Sequence, residues 1–197
     1  MIDFLVGLFL ASLILALFTT RLYRLYFWYS INSISLGALT FFIGAKIDDK
    51  ALFITAILTI ILKGIAIPYI LKSLTYKFNF KRNILPNIKI QHAIVLIPAI
   101  LVFTFYLAEP ITHTIGNNSN YVATSISSLF LSLLLMMEHE NISAKIVGFL
   151  SIENSLFLLS VTATDGMPMI VELGIFFDLL MAIVIINLLF KKEELMS

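Results

Sequence analysis

The chain is 197 residues long, 60% apolar and 13% charged, with a net charge of +1 and a mean hydropathy of +1.01. A soluble globular domain carries about a quarter charged residues, so this composition takes lipid as its solvent, and a balance this close to neutral carries no sign of a nucleic-acid partner. There is no cysteine, which excludes disulfides and cysteine-held iron–sulfur clusters, and His92, His113 and His139 show no metal-ligand spacing.

A membrane-crossing helix needs about 20 mostly apolar residues. By that measure the chain holds seven, over roughly 2–20, 25–45, 51–74, 91–109, 121–137, 143–163 and 169–190. The expected fold is therefore all-α, a polytopic membrane protein with seven transmembrane helices. No basic residue precedes the first apolar run and no small-residue cleavage site follows it, so it reads as a retained helix and not as a signal peptide. The second span opens on Tyr23, Tyr26, Phe27, Trp28 and Tyr29, the composition of an interfacial aromatic belt, and holds Asn32 near its middle.

The third span carries Lys63, with Pro68 five residues on; a proline there frees a backbone carbonyl and bends or breaks the helix. Residues 72–89, KSLTYKFNFKRNILPNIK, form the longest polar connection and could contact anionic lipid head groups or a soluble partner. The fourth span contains Pro98, read as a kink, and ends at Glu109 before Pro110. Residues 110–120 read as an extracytoplasmic turn. The fifth ends on Glu138-His139-Glu140, a group that could feed protons into the membrane or simply be solvated.

The last two spans lie between Lys145 and Leu189 and enclose three carboxylates, Glu153, Glu172 and Asp178. An ionisable group in hydrocarbon costs about 2.5–3.5 kcal/mol on insertion scales, so it persists only where it is paired or functional. Asn32, Lys63, Glu153 and Asp178 fall near the centres of four different spans. Two readings fit them: Lys63 as a packing salt bridge to Glu153 or Asp178, or a proton relay in which the lysine and carboxylates exchange protons.

The basic residues test the count of spans. With seven, Arg21, Arg24, Lys72, Lys77, Lys81, Arg82, Lys89, Lys145, Lys191 and Lys192 share one side, against only Lys46 and Lys50 on the other. The positive-inside rule then places the N-terminus outside and the C-terminus inside. A faint internal repeat also aligns Arg24 and Asn32 with Lys145 and Glu153, through Tyr-Ser-Ile-Asn and Leu-Ser-Ile-Glu, as though the first three spans duplicate the last three.

Lys145 followed by GFLSIEN (148–154) and GMPMIVELGIFFDLL (166–180) resembles the hydrogenase-4 component E family, and ILKGIAIPYIL (61–71) looks like that family's lysine-then-proline segment. The last three spans are similar to the small K subunit of respiratory complex I and its counterpart in multisubunit sodium/proton antiporters. The resemblance implies a four-helix membrane region over 1–120 and a K-like three-helix region over 121–197. It implies a multi-pass subunit of the cytoplasmic membrane in an energy-converting hydrogenase-type complex, beside antiporter-like subunits, membrane lipid and a peripheral hydrogenase or dehydrogenase module. The nickel–iron and iron–sulfur centres would belong to those partners, leaving this chain with no cofactor and no catalytic residue. Glu153 would be the central proton carrier, Asp178 its neighbour, Glu172 the link outward and Lys63 the tuning charge, with Asn32 at their depth. The alternatives are a subunit of a multisubunit cation/proton antiporter and a purely structural membrane scaffold.

Overall fold

A computed structural model describes residues 1–77, 83–84, 90–115, 119–139 and 141–163. In lipid every backbone N–H and C=O must find a partner within the chain, and a helix supplies one for nearly all of them. The described residues follow that rule: α1 (Ile2–Leu17), α2 (Leu22–Ile47), α3 (Lys50–Thr59), a π-helical segment (Ile60–Ala66), α4 (Ile67–Lys77), α5 (Ile90–Ile115), α6 (Ser119–Glu138) and α7 (Ile142–Ala163). The chain is all-α, as its composition requires, and no strand occurs among the described residues beyond an isolated bridge between Arg21 and Asn83.

Among the described residues, five helical stretches are long and apolar enough to cross a membrane: Leu22–Ile47, Lys50–Tyr76, Gln91–Pro110, Tyr121–Glu138 and Ile142–Ala163. The protein is therefore membrane-embedded and multi-pass. The first expected span is shorter than its apolar run. α1 has 16 residues, which rise about 24 Å, because Phe18 leaves the helix and Arg21 is extended ahead of α2. The region 110–120 also departs from expectation. Pro98 and Pro110 both lie inside α5, which continues to Ile115 instead of turning after Glu109. Prolines are tolerated in apolar helices where neighbouring groups re-satisfy the freed carbonyls. The seventh expected span, 169–190, lies outside the described residues.

The α2–α3 turn is built by two aspartates. Asp48 adopts the left-handed conformation (φ 60°) that its short polar side chain tolerates, and Asp49 caps α3 by accepting the Ala51 N–H at 2.9 Å.

Two helical hairpins make the centre of the molecule. α1 packs on α2, α6 on α7, and the hairpins meet through α2 with α7 and α1 with α6. α3 and the π segment lie along α2, and α5 lies along α6. The apolar core is split in two. One cluster gathers Leu17, Leu25, Tyr29, Leu131, Leu135 and Leu150 at the α1–α2 and α6–α7 turns. The other gathers Val6, Phe9, Leu36, Leu39, Phe157 and Val161 at the opposite end. Along α2 the first cluster stops at Tyr29 and the second resumes at Leu36; along α7 the gap runs from Leu150 to Phe157. The polar side chains occupy that gap.

Candidate functional site

Lys63 reaches the gap because its helix is locally underwound. Pro68 has no N–H to give the carbonyl of Gly64, four residues back. The turn widens, Ile67 N–H bonds to the Leu62 carbonyl five residues back, and Lys63 sits within the π segment. Such insertions re-aim side chains and recur at functional sites. The Ser30 hydroxyl on α2 donates to the Gly64 carbonyl, so the group that Pro68 orphans is satisfied from the neighbouring helix. Gly64 permits the approach: a Cβ there would stand 2.9 Å from Ile34 Cγ1.

Turned inward, Lys63 meets Glu153 on α7, Nζ to Oε1 3.1 Å, with the two side chains 2% and 11% exposed. Their attraction is on the order of 4 kcal/mol at an effective dielectric of 20, while removing both charges from water costs several kcal/mol for each ion. The two contributions are comparable, so the pair is held with little margin.

Beside the pair runs a chain of amides. The Phe9 carbonyl on α1 accepts from Asn32 Nδ2 at 2.9 Å, Asn32 Oδ1 accepts from Asn154 Nδ2 at 3.0 Å, and Asn154 Nδ2 also donates to Ser33 Oγ at 2.9 Å. A backbone carbonyl only accepts, so the whole chain has one polarity, ending on the buried Asn154 Oδ1. Asn32, expected at the depth of Lys63 and Glu153, bonds to α1 and α7. Its amide ties α7 to α2 and α1 one residue from Glu153, which fixes the depth and rotation of the carboxylate. Asn154→Leu leaves the Asn32 carbonyl without its donor in a buried site and is expected to cost about 1–3 kcal/mol. Thermal unfolding in detergent measures this, and an unchanged midpoint contradicts it.

The amide chain also bears on the repeat suggested by the sequence. In that register Ser33 corresponds to Asn154, and these two side chains touch.

Glu138 and His139 do not lie on a solvated surface. They are 3% and 0% exposed at the end of α6. The His139 Nδ1 lies 3.2 Å from the Leu135 carbonyl. Burial pushes the imidazole below its ordinary pKa, partly opposed by backbone hydrogen bonds at Leu135 and Thr19. Glu153 stands eleven residues into α7, about 16 Å further along, and the apolar cluster of Leu131, Leu135, Val147 and Leu150 intervenes. Glu140, Glu172 and Asp178 lie outside the described residues.

The sequence reading did not single out Asn154, Ser33 or Ser30. Their signal was a stripe: Ser30 and Ser33 on one apolar helix, Ser151, Asn154 and Ser155 on another, at the three- and four-residue spacing of a single face. Among the described residues no group of three or more His, Asp or Glu side chains is placed to hold a metal ion.

No protein-family model matches the chain, and no solved structure matches it. The chain is similar to the uncharacterized protein Rv0085 of Mycobacterium tuberculosis, 23% identical over 157 residues, which are 79% of this chain and 71% of the relative.

Proposed function

We propose that this chain is an integral membrane subunit of an energy-converting hydrogenase-type redox complex, and that it helps to move protons through the Lys63–Glu153 pair. The observation that carries the reading is the pair itself: a lysine and a carboxylate in contact between two apolar clusters, with the lysine on a π segment stabilised by a neighbouring helix. A charge change in an adjacent subunit would shift the proton between the two, so the redox step in the partner drives transfer by electrostatics. Asn32 and Asn154 hold Glu153 in register for that exchange. Glu138, His139 and Glu140 would take up protons on the side where Arg21, Arg24 and Lys145 lie. Asp178 and Glu172 would continue the path. This reading takes seven spans, the N-terminus outside, the C-terminus inside and the cytoplasmic membrane as its setting, from the distribution of basic residues.

A scaffold whose ion pair only fastens helices is the second reading, favoured by the same contact. Glu153→Gln separates the two, because the amide keeps the shape and can accept a hydrogen bond but carries no proton at this pH. Under the relay, the rate of proton pumping falls on the order of a hundredfold, the lower range of what a positioned proton-transfer group contributes, in the fraction of the variant that folds and assembles. Pumping at the native ratio in the assembled variant sinks the relay and leaves the scaffold. A subunit of a cation/proton antiporter predicts the same loss in a complex that contains no redox module, which mass spectrometry of the purified assembly distinguishes.

A further inference from the structure

We infer that the cleft between the start of α2 and the last turns of α4 binds the phosphate of an anionic membrane phospholipid. The cleft, about 240 Å³, is lined by Tyr23, Tyr69, Lys72, Ser73 and Tyr76. Four of these, at 69, 72, 73 and 76, follow the spacing of one helix face, so α4 presents a lysine and three hydroxyls together.

Depth comes first. Tyr23 is the second residue of the apolar stretch Leu22–Ile47, and Tyr76 is the last of Lys50–Tyr76. The cleft therefore lies where both helices leave the hydrocarbon, at the level of lipid head groups, whichever way the chain faces. Tyr69 and Tyr76 are 73% and 76% exposed. Aromatic rings uncovered at this depth favour the interface, with the ring among acyl and glycerol carbons and the hydroxyl among polar head groups.

Charge selects the ligand. Lys72 Nζ stands 6.0 Å from the Tyr23 ring centroid, and Lys72 has no carboxylate partner among the described residues. Residues 18–30 and 67–89 contain basic side chains and not one acidic one. A phosphate seated here takes Lys72 as its counter-charge, with the hydroxyls of Ser73, Tyr69 and Tyr76 in reach as donors; a net-negative head group is favoured over a zwitterionic one, whose own cation competes for the same phosphate. A free phosphate would gain the charge but would leave the tyrosine rings without the acyl and glycerol contacts they are placed to make.

The test uses the intact complex purified in mild detergent, stripped of lipid and then given phosphatidylglycerol, phosphatidylcholine or inorganic phosphate. Native mass spectrometry counts the retained adducts and thermal unfolding reads their effect. We expect phosphatidylglycerol to be retained about fivefold in preference to phosphatidylcholine, the contribution of one lysine near a charged head group, and to raise the unfolding temperature. In Lys72→Gln, an exposed change that leaves the fold intact, that preference disappears. Equal retention of the two lipids, a preference that survives Lys72→Gln, or equal protection by inorganic phosphate each overturns the assignment. None of these outcomes depends on whether Glu153 carries protons.

Discussion

Glu153→Ala is expected to destabilise the protein by about 3–5 kcal/mol, because the buried Lys63 loses the carboxylate that touches its ammonium. The same argument predicts that the damage is not the sum of two losses. Lys63→Met is destabilising for the converse reason, since Glu153 then loses the ammonium 3.1 Å from it. Yet Lys63→Met combined with Glu153→Leu removes both charges and refills the volume, and replacing a buried pair with apolar side chains is often neutral or stabilising. The double variant should therefore unfold within about 1 kcal/mol of the native protein while each single variant unfolds far below it. Four unfolding midpoints complete the cycle. Single variants as stable as the native chain would mean that the pair is not closed in the folded protein.

The cycle also separates stability from function. A double variant that folds and assembles but moves no protons shows that the charges are kept for transport and not for packing. A double variant that folds and pumps normally leaves them as fasteners.

The second large effect is expected at the contact between α6 and α7. A Cβ added at Gly148 would lie 2.7 Å from Met136 Cα and 2.8 Å from its backbone nitrogen. Main chain cannot swing aside as a flexible side chain does, so the helices must separate, and with them the packing of Leu131, Leu135 and Leu150 around the contact. Gly148→Ala should cost about 1–3 kcal/mol and Gly148→Leu more. Gly7 on α1 is the control. A Cβ there meets nothing within 4 Å, so Gly7→Ala should gain about 0.5–1 kcal/mol from the lower backbone entropy of its unfolded chain. If both alanines shift the unfolding temperature alike, the close approach of α6 and α7 is not present in the folded protein.

Much of the architecture follows from the order of residues alone. Apolar runs this long have only one way to satisfy their backbone in lipid, so the helical class and the membrane setting were already decided by the sequence. Lys63 and Glu153 were legible for a related reason: a charge inside an apolar run is costly enough that its presence is a signal in itself. The proline after Lys63 likewise signals an irregular helix, which takes the form of a π segment within a continuous helical stretch.

What the sequence did not contain was which groups meet. Lys63 has two candidate carboxylates in the sequence, and its contact with Glu153 depends on how far the π segment turns the lysine and how close Gly64 lets α2 approach, while Asp178 lies outside the described residues. Those are properties of packing between helices far apart in the chain. Asn32 is expected only at that depth; that it meets the Phe9 carbonyl and Asn154 follows from the crossing of several helices. Glu138 and His139 looked like a surface turn and are buried, since only the packing of the two hairpins covers them. The turn expected after Glu109 was misplaced because proline ends a helix in water, where freed carbonyls are hydrated, and is retained in a helix where neighbouring groups can take them. Composition thus determined the solvent, the helices and the rare charges, and tertiary contact alone decided which of those charges were brought together.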